Sequence, residues 1–206
     1  MPYSASLSIP EQVNASVTSS LKNLGTGEDT YLDCVLMHSP LPQLSGTLLA
    51  WNTLSAYVAS GKVRHLGISN VTLPILTVLV NDMEVKPAVV QNRFYADTRY
   101  EVPMRKFCRE HSIIFQSFWT LTGNPGLLRS KPVAELAEKS GVTREVALYS
   151  LIIGLKKLVV LDGTTNILRM KEDLDGLERV GKWVNGEGRD EWNWIHQEFR
   201  ALIGES

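Results

Sequence analysis

The sequence predicts an α/β fold, a partial (β/α)8 barrel of the TIM type with five parallel strands alternating with helices. Three observations carry that prediction. Short apolar runs, too short for helices, alternate with longer stretches whose apolar residues recur every three or four positions. The short runs are almost continuously apolar, as parallel strands covered on both faces must be. Neither GxGxxG nor GxxxxGK[ST] follows any of them, which weighs against an open doubly wound sheet and favours a barrel.

Each element follows in order. Ser8, Pro10 and Glu11 mark a helix start, with Ser8 as cap and Glu11 reaching back to it. Val13, Val17, Leu21 and Leu24 then keep helical spacing until Gly25. A strand over 31–37 ends at His38-Ser39-Pro40, and a helix over about 47–60 is closed by Gly61. The pair repeats as strand 63–68, helix 73–83, strand 88–92, helix 102–111 and strand 113–118. A loop of turn formers over 122–126 precedes two helices, one around Val133, Leu136 and Ala137 and one from Ala147 to Leu155, capped by Thr143. A strand over 158–161, a helix over about 168–180 and a Gly-containing break over 185–188 lead to an amphipathic segment with Trp192, Trp194, Ile195, Phe199 and Leu202. The expected organisation is a single domain over 1–206, its tail beginning near 185.

The composition, 44% hydrophobic and 21% charged over 206 residues, suits one globular core. A net charge of −1 with scattered Lys and Arg disfavours a nucleic-acid partner. The longest apolar runs, 73–80 and 148–155, are too short to span a bilayer, and the first residues lack a signal-peptide pattern. The expectation is a cytoplasmic protein with a small-molecule substrate. Cys34 and Cys108 lie in no CxxC or Cys/His spacing, so no metal site is expected, and both read as buried thiols.

In such barrels chemistry gathers at the carboxyl ends of the strands. Those ends carry His38, then Ser69-Asn70, Gln91, Phe118-Trp119 and Thr164-Thr165-Asn166. Singly each has an ordinary explanation, since Ser-Asn is a common turn pair and an exposed aromatic can line any apolar pocket. Five in one register are harder to explain by turn chemistry alone, which would favour Gly, Pro and Asp.

The motifs Met37-His-Ser-Pro40, Gly61-Lys-Val-Arg-His-Leu-Gly-Ile-Ser-Asn70, Lys86-Pro-Ala-Val-Val-Gln-Asn92, Phe118-Trp-Thr-Leu121 and Leu161-Asp-Gly-Thr-Thr-Asn-Ile-Leu-Arg-Met-Lys-Glu172 resemble the aldo-keto reductase family. The resemblance runs from about residue 8 to about residue 180. It implies that His38 is the active-site histidine beside the substrate carbonyl. It implies that Ser69, Asn70 and Gln91 hold a nicotinamide carboxamide, whose two donors and one acceptor a hydroxyl and two amides can satisfy. It places Phe118, with Trp119 as the one-residue alternative, on the nicotinamide ring. Thr164, Thr165, Asn166 and Arg169 would meet the adenosine 2′-phosphate at a helix start, and Glu172 the adenine. NADP(H) is the implied cofactor, with NAD(H) left open because Gly163 stands where many members carry lysine. The family's catalytic Asp, Tyr and Lys come from three strand units with no counterpart in these 206 residues; Tyr95, just past the third strand, is the tyrosine nearest the mouth.

The resemblance therefore implies an NAD(P)(H)-dependent oxidoreductase acting on a carbonyl or alcohol of a small metabolite. Two alternatives stay open: a repurposed lyase, isomerase or cyclase using His38 as acid or base, and a non-catalytic cofactor-binding protein. Five strands cannot close an eight-stranded barrel, so strand 32–37 or strand 158–161 should present an open edge. A homodimer covering the open edges is expected, the terminal segment being the other candidate cover.

Overall fold

The computed structural model describes residues 6–25, 27 and 30–205. The chain divides between Gln91 and Asn92 into two compact units.

The first unit holds α1 (Ile9–Leu24), β1 (Leu32–Met37), α2 (Leu44–Ala59), β2 (Val63–Ser69), α3 (Leu73–Asp82) and the beginning of β3 (Val89–Arg93). Helix α1 starts as the sequence predicts: the backbone N–H and hydroxyl of Ser8 both donate to Glu11 Oε2, at 2.9 and 2.6 Å. Helix α2 starts at Leu44, three residues before the expected position. The reason is Thr47, which is fully buried and accepts the Leu41 N–H at 2.9 Å, so its hydroxyl ties the preceding loop to the first turn instead of opening the helix.

Strands β1, β2 and β3 are parallel, with Met37 opposite Ile68 and Ser69 opposite Gln91. Gly67 is required at its place, because a Cβ there would fall 2.8 Å from the Val89 carbonyl oxygen of the neighbouring strand. Trp51, Leu66, Ile68, Leu76 and Leu79 are all fully buried, each aliphatic side chain contributing roughly 1.5–3 kcal/mol. The Trp51 indole donates to Val85 O at 2.8 Å, fixing α2 against the segment after α3.

The second unit holds a 3-10 turn (Ala96–Glu101), α4 (Val102–Glu110), β4 (Ile114–Phe118), α5 (Pro125–Leu128), α6 (Lys131–Ser140), α7 (Arg144–Ile153), β5 (Leu158–Val160), α8 (Ile167–Asn185) and α9 (Arg189–Leu202). Strands β4 and β5 are parallel, Ser117 lying opposite Val160. All residues from 146 to 152 are buried, so α7 is the central helix, with α6 and α8 packed on it. Thr143 caps it by accepting from Val146 N, as expected. Gly176 lets α8 approach, since a Cβ there would sit 2.8 Å from Val146 Cγ1.

Five strands alternate with helices, as predicted. Details of the second unit differ. The loop expected over 122–126 leads into one helical turn, α5. Helix α8 passes its expected end near 180 because a Glu178–Lys182 pair and an Asn185 side-chain bond to Gly181 O carry the last turns across Gly181. The terminal segment α9 buries Ile195 and Phe199 and packs on α6 and α8, an all-helical layer.

The end of α9 is fastened by charge. Arg105 and Glu205, 2% and 8% exposed, form an ion pair through Nη1 and Oε2, and Arg109 Nη2 reaches Glu205 Oε1 at 2.8 Å. Arg105 Nε donates to Tyr100 O at 2.8 Å. Arg105 thereby also holds a turn in which Arg99, Tyr100 and Glu101 all take positive φ, 49°, 52° and 54°. Such residues resist this conformation by roughly 1–2 kcal/mol each. Cys108 is buried, its thiol pushed up to about 12 by loss of solvation. Cys34 is only half-buried, contrary to expectation, because every residue of β1 keeps some exposure.

Candidate active site

In the first unit the parallel register brings the carboxyl ends of β1, β2 and β3 level, and three predicted residues meet there. Ser69 Oγ donates to Gln91 O at 2.8 Å and lies 3.5 Å from Gln91 Oε1. The Asn70 N–H donates to Gln91 O at 3.1 Å. Asn70 Nδ2 donates to Ser69 Oγ at 3.1 Å and to His38 O at 2.9 Å. Asn70 can turn back in this way because its φ is 51°, a left-handed conformation that Asn adopts more readily than most residues. Ser69 is buried, Gln91 and Asn70 half-buried, and His38 exposed. His38 reaches the cluster through its backbone carbonyl, and its imidazole stands toward solvent.

In the second unit, Phe118 ends β4 and Trp119 follows with φ 58°, unusual for a bulky side chain. A buried polar frame holds that conformation. Ser117 Oγ and Thr120 Oγ1 are 3.0 Å apart, and Asn124 Nδ2 donates to Thr120 O at 3.0 Å and to Phe94 O. Gly123 N donates to Trp119 O at 2.8 Å, and a Cβ on Gly123 would strike that same oxygen. Phe118 and Trp119 meet edge to face at 6.2 Å. Sequence reasoning passed over Ser117, Thr120 and Asn124, which look like ordinary loop residues until their burial is seen.

At the end of β5 the Asn166 side chain caps α8, its Oδ1 accepting from Leu168 N at 3.0 Å and Arg169 N at 3.2 Å. Thr164 Oγ1 accepts from Asn166 N at 3.1 Å. Thr165, Arg169 and Glu172 are exposed, and Arg169 forms no ion pair among the described residues. Nearby, Tyr149 lies against Asp162, its phenol pushed up by burial first and by Asp162 and Asp173 next. Asp173 is pushed up to about 6 by partial burial, by a hydrogen bond with Asp162 and by the surrounding carboxylates. The backbone donors at this helix start are thus already occupied by Asn166, and the adjacent side chains add negative charge.

The comparison that decides the family is a match of residues 3–189 to the Aldo/keto reductase family. The chain belongs to this family. It is 29% identical over 176 residues to an NAD/NADP-dependent indole-3-acetaldehyde reductase of Schizosaccharomyces pombe, covering 81% of this chain and 58% of that protein. It is 33% identical over 128 residues to the 2,5-diketo-D-gluconic acid reductase B of a Corynebacterium, covering 62% and 45%. The chain therefore spans about half the length of these aldo/keto reductases. Its fold resembles that of an aldo/keto reductase from Brucella melitensis, with TM-score 0.69 and 22% identity over 84% of this chain and 67% of the other. A Bombyx mori aldo-keto reductase in complex with NADP gives TM-score 0.69 at 21% identity, over 84% and 62%. These neighbours bear out the partial barrel. In this aldo/keto reductase chain Ser69, Asn70 and Gln91 form one hydrogen-bonded cluster.

Proposed function

We propose that this chain binds a nicotinamide nucleotide, NADP(H), and serves reduction or oxidation of a small carbonyl or alcohol. The observation that carries the reading is the convergence of Ser69, Asn70 and Gln91 at the ends of β2 and β3. One hydroxyl and two primary amides in mutual contact offer the mixed donors and acceptors that a carboxamide needs, so the residues fit the group. A nucleotide held by these residues would supply hydride-transfer chemistry at its nicotinamide. Ser69, Asn70 and Gln91 orient the nicotinamide by its carboxamide, and the exposed His38 imidazole donates a hydrogen bond to the substrate oxygen. Phe118 gives the ring an apolar face, with Trp119 the neighbouring alternative. At the start of α8 the side chains of Thr164, Thr165 and above all Arg169 would receive the adenosine phosphate and Glu172 the adenine, Asn166 serving as the cap that holds the turn and Arg169 offsetting the neighbouring carboxylates.

The free, unbridged Cys34 and Cys108 favour a cytoplasmic setting for this activity. No helix among the described residues is long and apolar enough to cross a membrane. Exposed apolar side chains at Val159 and Leu161, and at Ile167, Leu168 and Leu174 on α8, support self-association into a homodimer.

Fluorescence titration with NADPH tests the reading. Asn70→Gly, which keeps the left-handed backbone while removing the amide, and Gln91→Ala should each weaken binding by roughly 1–3 kcal/mol. Absence of binding at millimolar NADPH, or unchanged affinity in both variants, removes it.

A further inference from the structure

The second unit holds a cation that the reading above does not use. Arg93, the last residue of β3, lays its guanidinium over the Trp119 ring at 4.5 Å from the centroid, with Phe118 at 5.4 Å. Its Nε is buried and has no hydrogen-bond partner, and among the described residues Arg93 joins no ion pair. The buried Arg105 is engaged by Tyr100 O and Glu205, with only its Nη2 left without a partner, whereas the half-buried Arg93 has no acceptor for its Nε. A guanidinium has five in-plane N–H donors and no acceptor. Contact through a ring face does not consume the terminal N–H donors of a guanidinium, which stay available to an oxyanion.

The surroundings are built to hold that group in place. Trp119 takes its left-handed φ only because Ser117, Thr120, Gly123 and Asn124 lock the turn beneath it. Tyr95 packs its ring against the Trp119 indole at 6.2 Å. A strained backbone over-determined by a buried polar frame at a strand end is a common attribute of ligand sites. Arginine pre-oriented on aromatic rings matches planar oxyanions through two parallel hydrogen bonds.

We propose that Arg93, held over Trp119 in the second unit, is the receptor for the carboxylate of a small organic acid. The terminal guanidinium N–H groups then take both carboxylate oxygens. The site lies wholly within the second unit and is independent of the nicotinamide reading, so its test is a binding measurement.

Calorimetric titration of the whole chain with phenylglyoxylate and with its uncharged methyl ester, each with and without saturating NADP+, tests the site. The acid is expected to bind at least tenfold more tightly than the ester. Arg93→Gln should bring that ratio close to one. Arg93→Lys keeps the charge and the stem but loses the planar fork, so it should lose most of the preference while retaining the fold by circular dichroism. An acid-to-ester ratio near one in the unaltered chain under both conditions overturns the proposal, as does an unchanged ratio in Arg93→Gln. If inorganic pyrophosphate alone shows Arg93-dependent binding, the arginine serves a nucleotide phosphate and the proposal fails. An intact acid preference in a chain that does not bind NADPH would sink the nicotinamide reading and leave this one standing.

Discussion

Replacing Glu205 by Ala should destabilise the second unit by about 3–5 kcal/mol, the usual result of leaving one member of a buried pair uncompensated. The magnitude follows from the surroundings. Arg105 is 2% exposed and cannot turn to solvent without vacating its place beside Tyr100 O and the Phe94 ring, 5.5 Å away. At an effective dielectric near 20, two charges about 4 Å apart attract by roughly 4 kcal/mol. Arg109, 29% exposed, loses less because water replaces its partner. Burial already pulls the Arg105 guanidinium below its usual range, with Glu205 the strongest influence in the other direction, so removing the carboxylate leaves the unfavourable part alone. The Glu205→Gln variant keeps an acceptor and should lose less than Ala. Urea unfolding followed by tryptophan emission reads this unit, since Trp119, Trp183, Trp192 and Trp194 all belong to it. A loss under about 1 kcal/mol in Glu205→Ala would refute the reasoning and class the pair with surface salt bridges.

Asp173 gives a pH dependence of definite sign. Its pKa is raised from 3.8 to about 6, so its contribution to stability is complete below the unfolded value and lost as the pH rises through the folded one. Asp173→Asn should therefore be more stable than the unaltered chain by roughly 1–2 kcal/mol at pH 7, after screening, and no more stable near pH 4; equal differences at the two pH values in denaturant titrations would contradict this. Gly176→Ala should cost about 1–3 kcal/mol in the same assay despite better helix propensity, because the new methyl meets Val146. If Arg169 meets a 2′-phosphate, Arg169→Ala weakens NADPH more than NADH in parallel titrations, and equal losses count against it. Light scattering at micromolar concentration should find a dimer; a monomer that unfolds cooperatively would rule out self-association as the cover for the apolar side chains of β5 and α8.

The alternation of strands and helices was legible because each element carries its own signal within a few residues. Ser8 and Glu11, Thr143 and the closing Gly61 all act locally, and their geometry matches their sequence reading. The cluster of Ser69, Asn70 and Gln91 was legible for a related reason: parallel register sets Ser69 opposite Gln91 once the two strands are placed. What escaped depends on partners far along the chain or on backbone conformation. Nothing near Arg105 announces a bond to Glu205, and nothing near Arg93 announces an indole beneath it. The start of α2 was placed three residues late because the tie between the Thr47 hydroxyl and Leu41 N leaves no mark in the local pattern. The terminal helix α9 was read correctly as amphipathic, but periodicity states only that a face is covered, not by what.

The Arg105–Glu205 pair joins residues one hundred positions apart, and that separation bears on how the chain is made. Synthesis delivers α4 with both its arginines long before their counter-charge exists. Until then Arg105 cannot be withdrawn from water without a penalty of several kcal/mol, so the turn it grips and the helix it lies on must stay loosely packed on the nascent chain. Docking of α9 is thus the event that lets the second unit set, and the interval before it is when exposed apolar side chains are open to chaperones or to aggregation.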